Sequence, residues 1–176
     1  MANNLLEKIK KDLPNIPDQI IKDWLLPFAK EKGWPPKYET LGPILMYKPI
    51  DWWNKVKWKK QQILFEEIKL STIYKNNINN MVSYYKKQED GQTIKGYQRI
   101  ISVIKYIKKY NSLPKPIILI TTKNGYDILD GNHRITACTI LQEENVINKF
   151  LINTFIGNPQ KITKKNFQED SFYWNK

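Results

Sequence analysis

Apolar residues recur at helical spacing in several parts of the chain. The most regular pattern is YQRIISVIKYIKKYNSL (97–113), in which isoleucines and a valine occupy one side of a helix and lysines the other. Two shorter amphipathic helices are predicted at the beginning of the chain, the first ending at Pro14 and the second at Gly33. Pro27 is expected to shorten or bend the second of them. A further helix is predicted for ITACTILQEE (135–144).

Runs of β-branched residues predict the strands. PIILITT (116–122) is typical of a buried strand, the Asn-Gly pair that follows is a strong hairpin signal, and YDIL (126–129) is the returning strand. Further strands are predicted near residues 68–73 and at VINKFLINTFI (146–156). The sequence therefore predicts an α+β fold, a small mixed β-sheet with flanking helices and an N-terminal helical extension.

The same patterns divide the chain into three parts. Residues 1–60 form the N-terminal extension, whose proline-rich second half (33–60) is expected to be an irregular arm with aromatic anchors. Residues 61–156 hold the sheet, including a segment at 76–93 that is interpreted as a helix or loop leading into a polar turn. Residues 157–176 are expected to be a polar tail with a late aromatic group.

Length and cysteine content limit the class of protein. The 176 residues suit one domain with an extension. No apolar run reaches the ~18 residues that a membrane span needs, and the first residues lack the features of a signal peptide. The single cysteine, Cys138, excludes an internal disulfide and favours a reducing compartment. We therefore expect a cytoplasmic protein without a membrane partner.

The formal net charge of +12 indicates anionic partners such as nucleotides, DNA, RNA or acidic surfaces. Lysines spread over helix faces are equally well explained as solvated surface, and arginine, the better bidentate phosphate ligand, occurs only twice. Four tryptophans could stack on bases or could instead pin the proline-rich arm onto a core. These are Trp34, Trp52, Trp53 and Trp58.

The rarest side chains of the chain meet in YDILDGNHRITACTIL (126–141). This segment contains the only histidine, His133, and one of the two arginines, Arg134, directly after an Asp-Gly turn. Gly131 permits an unusual backbone angle or the close approach of a ligand, and Asn132 is a favourable helix N-cap. The amides of the next three residues, with the positive end of the helix dipole, would then form an anion site.

Each charged side chain of this turn can serve a phosphate ligand. Arg134 carries a fork of donors that matches phosphate oxygens, and His133 can donate a hydrogen bond or move a proton near neutral pH. Asp130, at the end of a strand, suits a magnesium ligand, a ribose contact or a base. The alternative is an ordinary Asp-Gly turn with a histidine at the start of a helix.

The motif and its setting resemble the ParB/sulfiredoxin-fold superfamily. In ParB-like domains a helix leads into a short loop ending in proline, then a strand, a Gly-x-x-Arg turn and a second helix, and the same order is found here over residues 66–156. The resemblance implies a small α+β domain whose helix N-terminus binds nucleotide phosphates. Members include CTP-binding partition proteins, sulfiredoxin and free-serine kinases that use ATP or ADP, and some members are nucleases.

The resemblance also implies roles for individual residues. Asp130 matches the acidic residue of Asp-Gly-x-His-Arg variants, which are most similar to the kinase-like branch. Lys115, just before the loop proline, stands where the family often lines its nucleotide pocket. Four residues are implied to contact phosphates: Gly131, Asn132, His133 and Arg134.

Departures from the family narrow the function. Sulfiredoxin has its catalytic cysteine immediately before the histidine, where this chain has Asn132, so reductase chemistry is not expected. Cys138 lies further along the predicted helix and is expected to face the core. Arg99 does not fit the upstream arginine box of ParB proteins, and too few residues follow residue 156 for a DNA-binding helix-turn-helix.

Two classes of function follow. The first is an enzyme, a phosphotransferase or NTPase that uses ATP, ADP or CTP with Mg²⁺. Phosphoryl transfer needs the charge on the phosphate oxygens to be neutralised and the nucleophile to be held in line. The turn would neutralise the charge, and Glu66 or Glu67 is a candidate for holding the nucleophile. The alternative for this pair is a solvated helix end. The alternative is a DNA- or RNA-binding protein or nuclease whose turn grips a backbone phosphate, and use of the pocket by a toxin or effector stays open.

Overall fold

A four-stranded mixed sheet between two layers of helices makes up the part of the chain that the computed structural model describes, residues 2–36, 45–46, 48–87 and 94–160. The strands are β1 (Val56–Leu64), β2 (Ile117–Thr122), β3 (Gly125–Asp130) and β4 (Leu151–Pro159). Their order across the sheet is β1-β4-β2-β3, with β4 antiparallel to β1 and parallel to β2, and with β2 and β3 forming an antiparallel hairpin. This confirms the α+β class predicted from the sequence.

The helices follow the same chain order. They are α1 (Ala2–Asp12), α2 (Asp18–Ile20), α3 (Leu26–Lys32), α4 (Ile50–Trp53), α5 (Thr72–Lys86), α6 (Ile94–Tyr110) and α7 (Asn132–Glu143). The helix predicted at 97–113 is α6, and its buried isoleucines face the core as the pattern indicated. The helix predicted after the Asp-Gly turn is α7.

Both faces of the sheet are covered by apolar layers, and the side chains of β2 contribute to both. Ile117 and Leu119 point into a core formed with α5, α6 and α7, whereas Ile118 and Ile120 point into a second core formed with the N-terminal helices. Successive side chains of a strand project to opposite faces, so a strand that is apolar at every position needs an apolar layer on each side. The run IILI is therefore the sequence signal for a sheet with two covered faces.

The N-terminal helices share an apolar core with the sheet. Val56 and Trp58 of β1 and Phe155 of β4 pack with residues of α1 and α3. The predicted boundary between residues 60 and 61 falls inside β1. The prediction of an irregular arm over residues 33–60 was wrong for α4 and for the first half of β1, whose exposed lysines obscure the strand pattern.

The tryptophans of this region are packing residues. Trp53 is fully buried, lies 5.6 Å from Trp24 in an edge-to-face contact and stacks on Trp58 at 6.4 Å between ring centroids. Trp34 is buried and donates its indole N–H to Asp12 Oδ2 at 2.8 Å. Trp52 meets Trp53 edge to face. Of the two interpretations of these side chains, the core anchor is the one the packing supports.

Two further predictions concern the segments that flank α5. The strand predicted near residues 68–73 was wrong: a 3₁₀ turn (Phe65–Glu67) is followed by one isolated bridge from Leu70 to Tyr126, and α5 begins at Thr72. The segment interpreted as a helix or loop is helical up to Lys86. The polar turn predicted at residues 89–92 lies outside the described residues, as does the predicted tail from residue 161 onward. The tail prediction was wrong for residues 157–159, which belong to β4.

A π-helical turn, Ile21–Leu25, joins α2 to α3. The amide of Leu26 donates to the carbonyl of Ile21, five residues earlier. Pro27 explains the wider turn, because a proline has no amide to give and its ring clashes with the carbonyl four residues before it, that of Asp23. The bend expected at Pro27 therefore takes the form of a locally widened helix.

Candidate functional site

The start of α7 is set by the backbone of Gly131. Gly131 is the N-cap, with φ of 118° and ψ of 16°, a conformation that favours glycine. The first helical amide to find a carbonyl is that of Ile135, which donates to Gly131 O at 2.9 Å. The sequence predicted Asn132 as the N-cap, whereas the structure has the N-cap one residue earlier in the chain, at Gly131. The amides that precede the first helical hydrogen bond are those of Asn132, His133 and Arg134.

Arg134 folds back over the turn and pairs with Asp130. Its side chain is buried, with the residue 8% exposed, and Nη2 donates to Asp130 Oδ2 at 2.6 Å. A Cβ atom at Gly131 would lie 3.2 Å from Nη2 of Arg134 and equally close to Ile117. Close packing therefore adds to the φ angle in disfavouring a larger residue at this position. One donor of the Arg134 fork, which the sequence suggested for phosphate, is committed to a carboxylate.

A cavity of about 790 Å³ opens beside this turn. Basic side chains reach it from three segments: Arg99 of α6, Lys115 of the loop before β2, and His133 and Arg134 of α7. Arg99 is exposed and Lys115 has 54% of its side chain exposed, so both can meet a ligand. The remaining lining residues are Asp23, Gln98, Ser102, Val103, Pro114, Asp130 and Gly131.

The imidazole of His133 is half-buried in this wall of the cavity. Burial lowers its pKa below the ordinary value of 6.5, and the neighbouring Arg99 and Arg134 charges lower it further, while Asp130 opposes the shift. His133 is therefore neutral at pH 7. A neutral imidazole can accept a proton, and an anion bound beside it would favour its protonated form.

The N-terminal layer contributes one residue that the sequence reasoning missed. Asp23, in the π-helical turn, lines the cavity, and its Oδ1 lies 3.1 Å from the ammonium of Lys115. Lys115 was predicted as a pocket residue and is placed there. No local pattern marks Asp23, because it belongs to an ordinary amphipathic helix and reaches the cavity only through the packing of that helix on the sheet.

Glu66 and Glu67 lie apart from the turn. Glu66 borders a separate cavity of about 390 Å³ between the 65–70 segment, α5 and α7. The Oε2 atom of Glu67 accepts a hydrogen bond from the amide of Leu64 at 3.4 Å. The predicted site residues that the structure brings together are Lys115, Asp130, Gly131, His133 and Arg134, with Asn132 exposed on the adjoining first turn.

The carboxylates near the turn do not fit a resident metal ion. Within the described ranges, no group of three histidine, cysteine, aspartate or glutamate side chains comes together. Asp130 already accepts from Arg134, and Asp23 pairs with Lys115. Magnesium in proteins is often held by one or two carboxylates together with phosphate oxygens of a ligand, and Asp130 alone would supply only the first of these. Cys138 is buried, and burial raises the pKa of its thiol to about 12, which makes it an inert core residue.

Comparison of the chain with protein families, curated proteins and solved structures finds no match. In the portions of the chain described by the structure, none of the helices combines the length and the apolar composition that crossing a bilayer requires. The site is therefore interpreted from its own residues.

Proposed function

We propose that the chain binds a nucleotide through its phosphates in the cavity beside the start of α7. One observation supports this most directly: Arg99, Lys115 and His133 come from different segments and meet at a helix N-terminus. The cavity volume of about 790 Å³ lies within the range of about 300–1,000 Å³ typical of small-molecule sites. Cations on long side chains together with helix amides are the groups that bind phosphate oxygens.

The ion pair inside the turn separates the residues that stabilise the site from those that can bind a ligand. Asp130 and Arg134 neutralise each other and hold the backbone of Gly131 in place. The uncompensated positive charge then comes from Arg99, and Lys115 adds an exposed ammonium whose charge Asp23 partly offsets. The first-turn amides of α7 supply directed donors. In this arrangement the phosphates lie between α6 and the start of α7.

The reaction that we propose is phosphoryl transfer or nucleotide hydrolysis. The oxygen of an acceptor hydroxyl or of water forms a bond to the terminal phosphorus, and the bond from that phosphorus to its bridging oxygen breaks. Neutral His133 takes the proton of the attacking oxygen, and the cations stabilise the charge on the phosphate oxygens. The resemblance to the kinase-like branch of the ParB/sulfiredoxin superfamily supports this reaction class and stays a prediction.

The proposal is tested by titrating the protein with ATP, ADP and CTP, with and without magnesium, in a calorimeter. Arg99→Gln removes an exposed cation of the cavity, and we expect roughly tenfold weaker nucleotide binding or more, the scale of one charge-assisted hydrogen bond. Lys105→Gln is the matched control, because Lys105 is an exposed cation on the same helix that does not line the cavity. No binding by the wild type, or an equal loss in both variants, would contradict the proposal.

Nucleic acid is the competing ligand, and the burial of two of the four tryptophans removes part of the stacking surface that it would need. Base stacking needs exposed aromatic faces, whereas the rings of Trp34 and Trp53 are buried. A single-stranded oligonucleotide titrated at two salt concentrations separates the two ligands. Strong binding that falls steeply with salt and is equally weakened by Arg99→Gln and Lys105→Gln would favour a dispersed basic surface over the cavity.

A further inference from the structure

Lys115 is held at the cavity by the N-terminal layer. Its ammonium lies 3.1 Å from Oδ1 of Asp23, and the side-chain amide of Gln19 donates through Nε2 to the other oxygen, Oδ2, at 2.6 Å. The Asp23 side chain is 15% exposed, against 54% for Lys115. A carboxylate bonded through both oxygens is fixed in direction, so the flexible lysine is the partner whose freedom the contact restricts.

The backbone at each end of this contact is also constrained. Asp23 belongs to the π-helical turn that Pro27 imposes, and Lys115 stands between Pro114 and Pro116. A lysine side chain has a long, flexible aliphatic stem and loses considerable freedom when its ammonium is held in one place. Here the ion pair restricts that freedom before any ligand arrives, which lowers the entropic cost of binding an anion.

We propose that Asp23 is a positioning residue of the phosphate site, which holds the Lys115 ammonium over the cavity and makes the N-terminal layer part of ligand recognition. This inference rests on the proposed function. A carboxylate that only lines an anion site repels the ligand, so its removal would tighten binding. A carboxylate that positions a cation does the opposite, and its removal weakens binding.

The test is a double-mutant cycle with ATP titrated into the wild type, Asp23→Asn, Lys115→Gln and the double variant. We expect Lys115→Gln to bind about tenfold more weakly, on the scale of a charge-assisted contact. Asp23→Asn should bind about threefold more weakly, as befits a partly exposed ion pair. The double variant should bind no more weakly than Lys115→Gln alone, because Asp23 acts through the lysine.

Asp18→Asn is the matched control for loss of a carboxylate from the N-terminal layer, since Asp18 pairs with Lys10 at 2.8 Å and does not line the cavity. It should leave ATP affinity unchanged. Unchanged or tighter binding by Asp23→Asn, or an equal loss in the presence and absence of Lys115, would overturn the positioning role and leave the proposed function standing. Failure of the wild type to bind any nucleotide would overturn the proposed function and this inference with it.

Discussion

The two walls of the cavity hold their arginines in opposite ways. In the turn wall (residues 130–134), Arg134 is buried and bonded to Asp130, so its charge is compensated within the protein. In the α6 wall (residues 98–103), Arg99 is exposed and its charge faces the cavity. The chain has only these two arginines. The arginine in the conspicuous motif therefore organises the site, whereas the one outside the motif provides accessible charge.

The largest expected difference between the walls is in stability. Arg134→Gln leaves Asp130, whose side chain is 34% exposed, without its cation and opens space over Gly131. We expect the free energy of unfolding to fall by about 2.5 kcal/mol, below the roughly 3–5 kcal/mol of a fully buried pair, because water reaches the Asp130 carboxylate. Arg99→Gln should change it by less than about 0.5 kcal/mol, as for other surface substitutions. Urea denaturation of both variants measures the difference, and equal effects would remove the distinction between the walls.

A second difference concerns the glycine under Arg134. Gly131→Ala should lower the free energy of unfolding by about 2 kcal/mol, because the methyl group adds a close contact to a strained φ angle. The control is the same substitution in an Arg134→Gln background, where the guanidinium atoms close to the added Cβ are gone. There Gly131→Ala should cost about 1 kcal/mol less, because only the backbone angle and the contact with Ile117 remain. Chemical denaturation measures both costs, and an equal cost in the two backgrounds would mean that the contact with Arg134 contributes nothing.

The smallest expected effect is a pH dependence from His133. Because its pKa in the folded protein lies below 6.5, the unfolded chain takes up this proton first as the pH falls. The contribution of His133 to stability is therefore complete above pH 6.5 and is lost as the pH falls through the folded pKa. When the pH is lowered from about 8 to about 5, the free energy of unfolding of the wild type should decline relative to that of His133→Gln. Parallel pH profiles would place His133 in an environment like that of the unfolded chain.

The sequence was sufficient for the elements whose own residues determine them. The hairpin of β2 and β3 and the helix α6 were predicted because an apolar run, a turn glycine and a helical period are local signals. The turn before α7 was located for the same reason. The cap was misplaced by one residue because the φ angle of Gly131 competes with the preference of Asn132 for that position.

What the sequence did not predict depends on contacts between distant segments. β1 was missed because its exposed lysines, such as Lys57 and Lys59, hide an alternation that is completed only by pairing with β4. The pairing of Arg134 with Asp130 is local in sequence, but the burial of Arg134 is a property of the folded chain. Asp23 and Lys115, which are far apart in the sequence, form an ion pair only in the folded chain. Each of these is a tertiary arrangement that no single segment specifies.

Among the strands that the structure describes, β4 comes last in the chain and yet lies between β1 and β2 in the sheet. While the ribosome is still making the chain, β1 and β2 therefore lack the strand that will pair with both of them. When β4 emerges, Gly157 leaves room for Ile120 and Val56, whose side chains would lie only 2.7 Å and 2.8 Å from a Cβ atom at that position. Until then the apolar surfaces that β4 will cover stay open to water, which makes the nascent chain a candidate for chaperone capture.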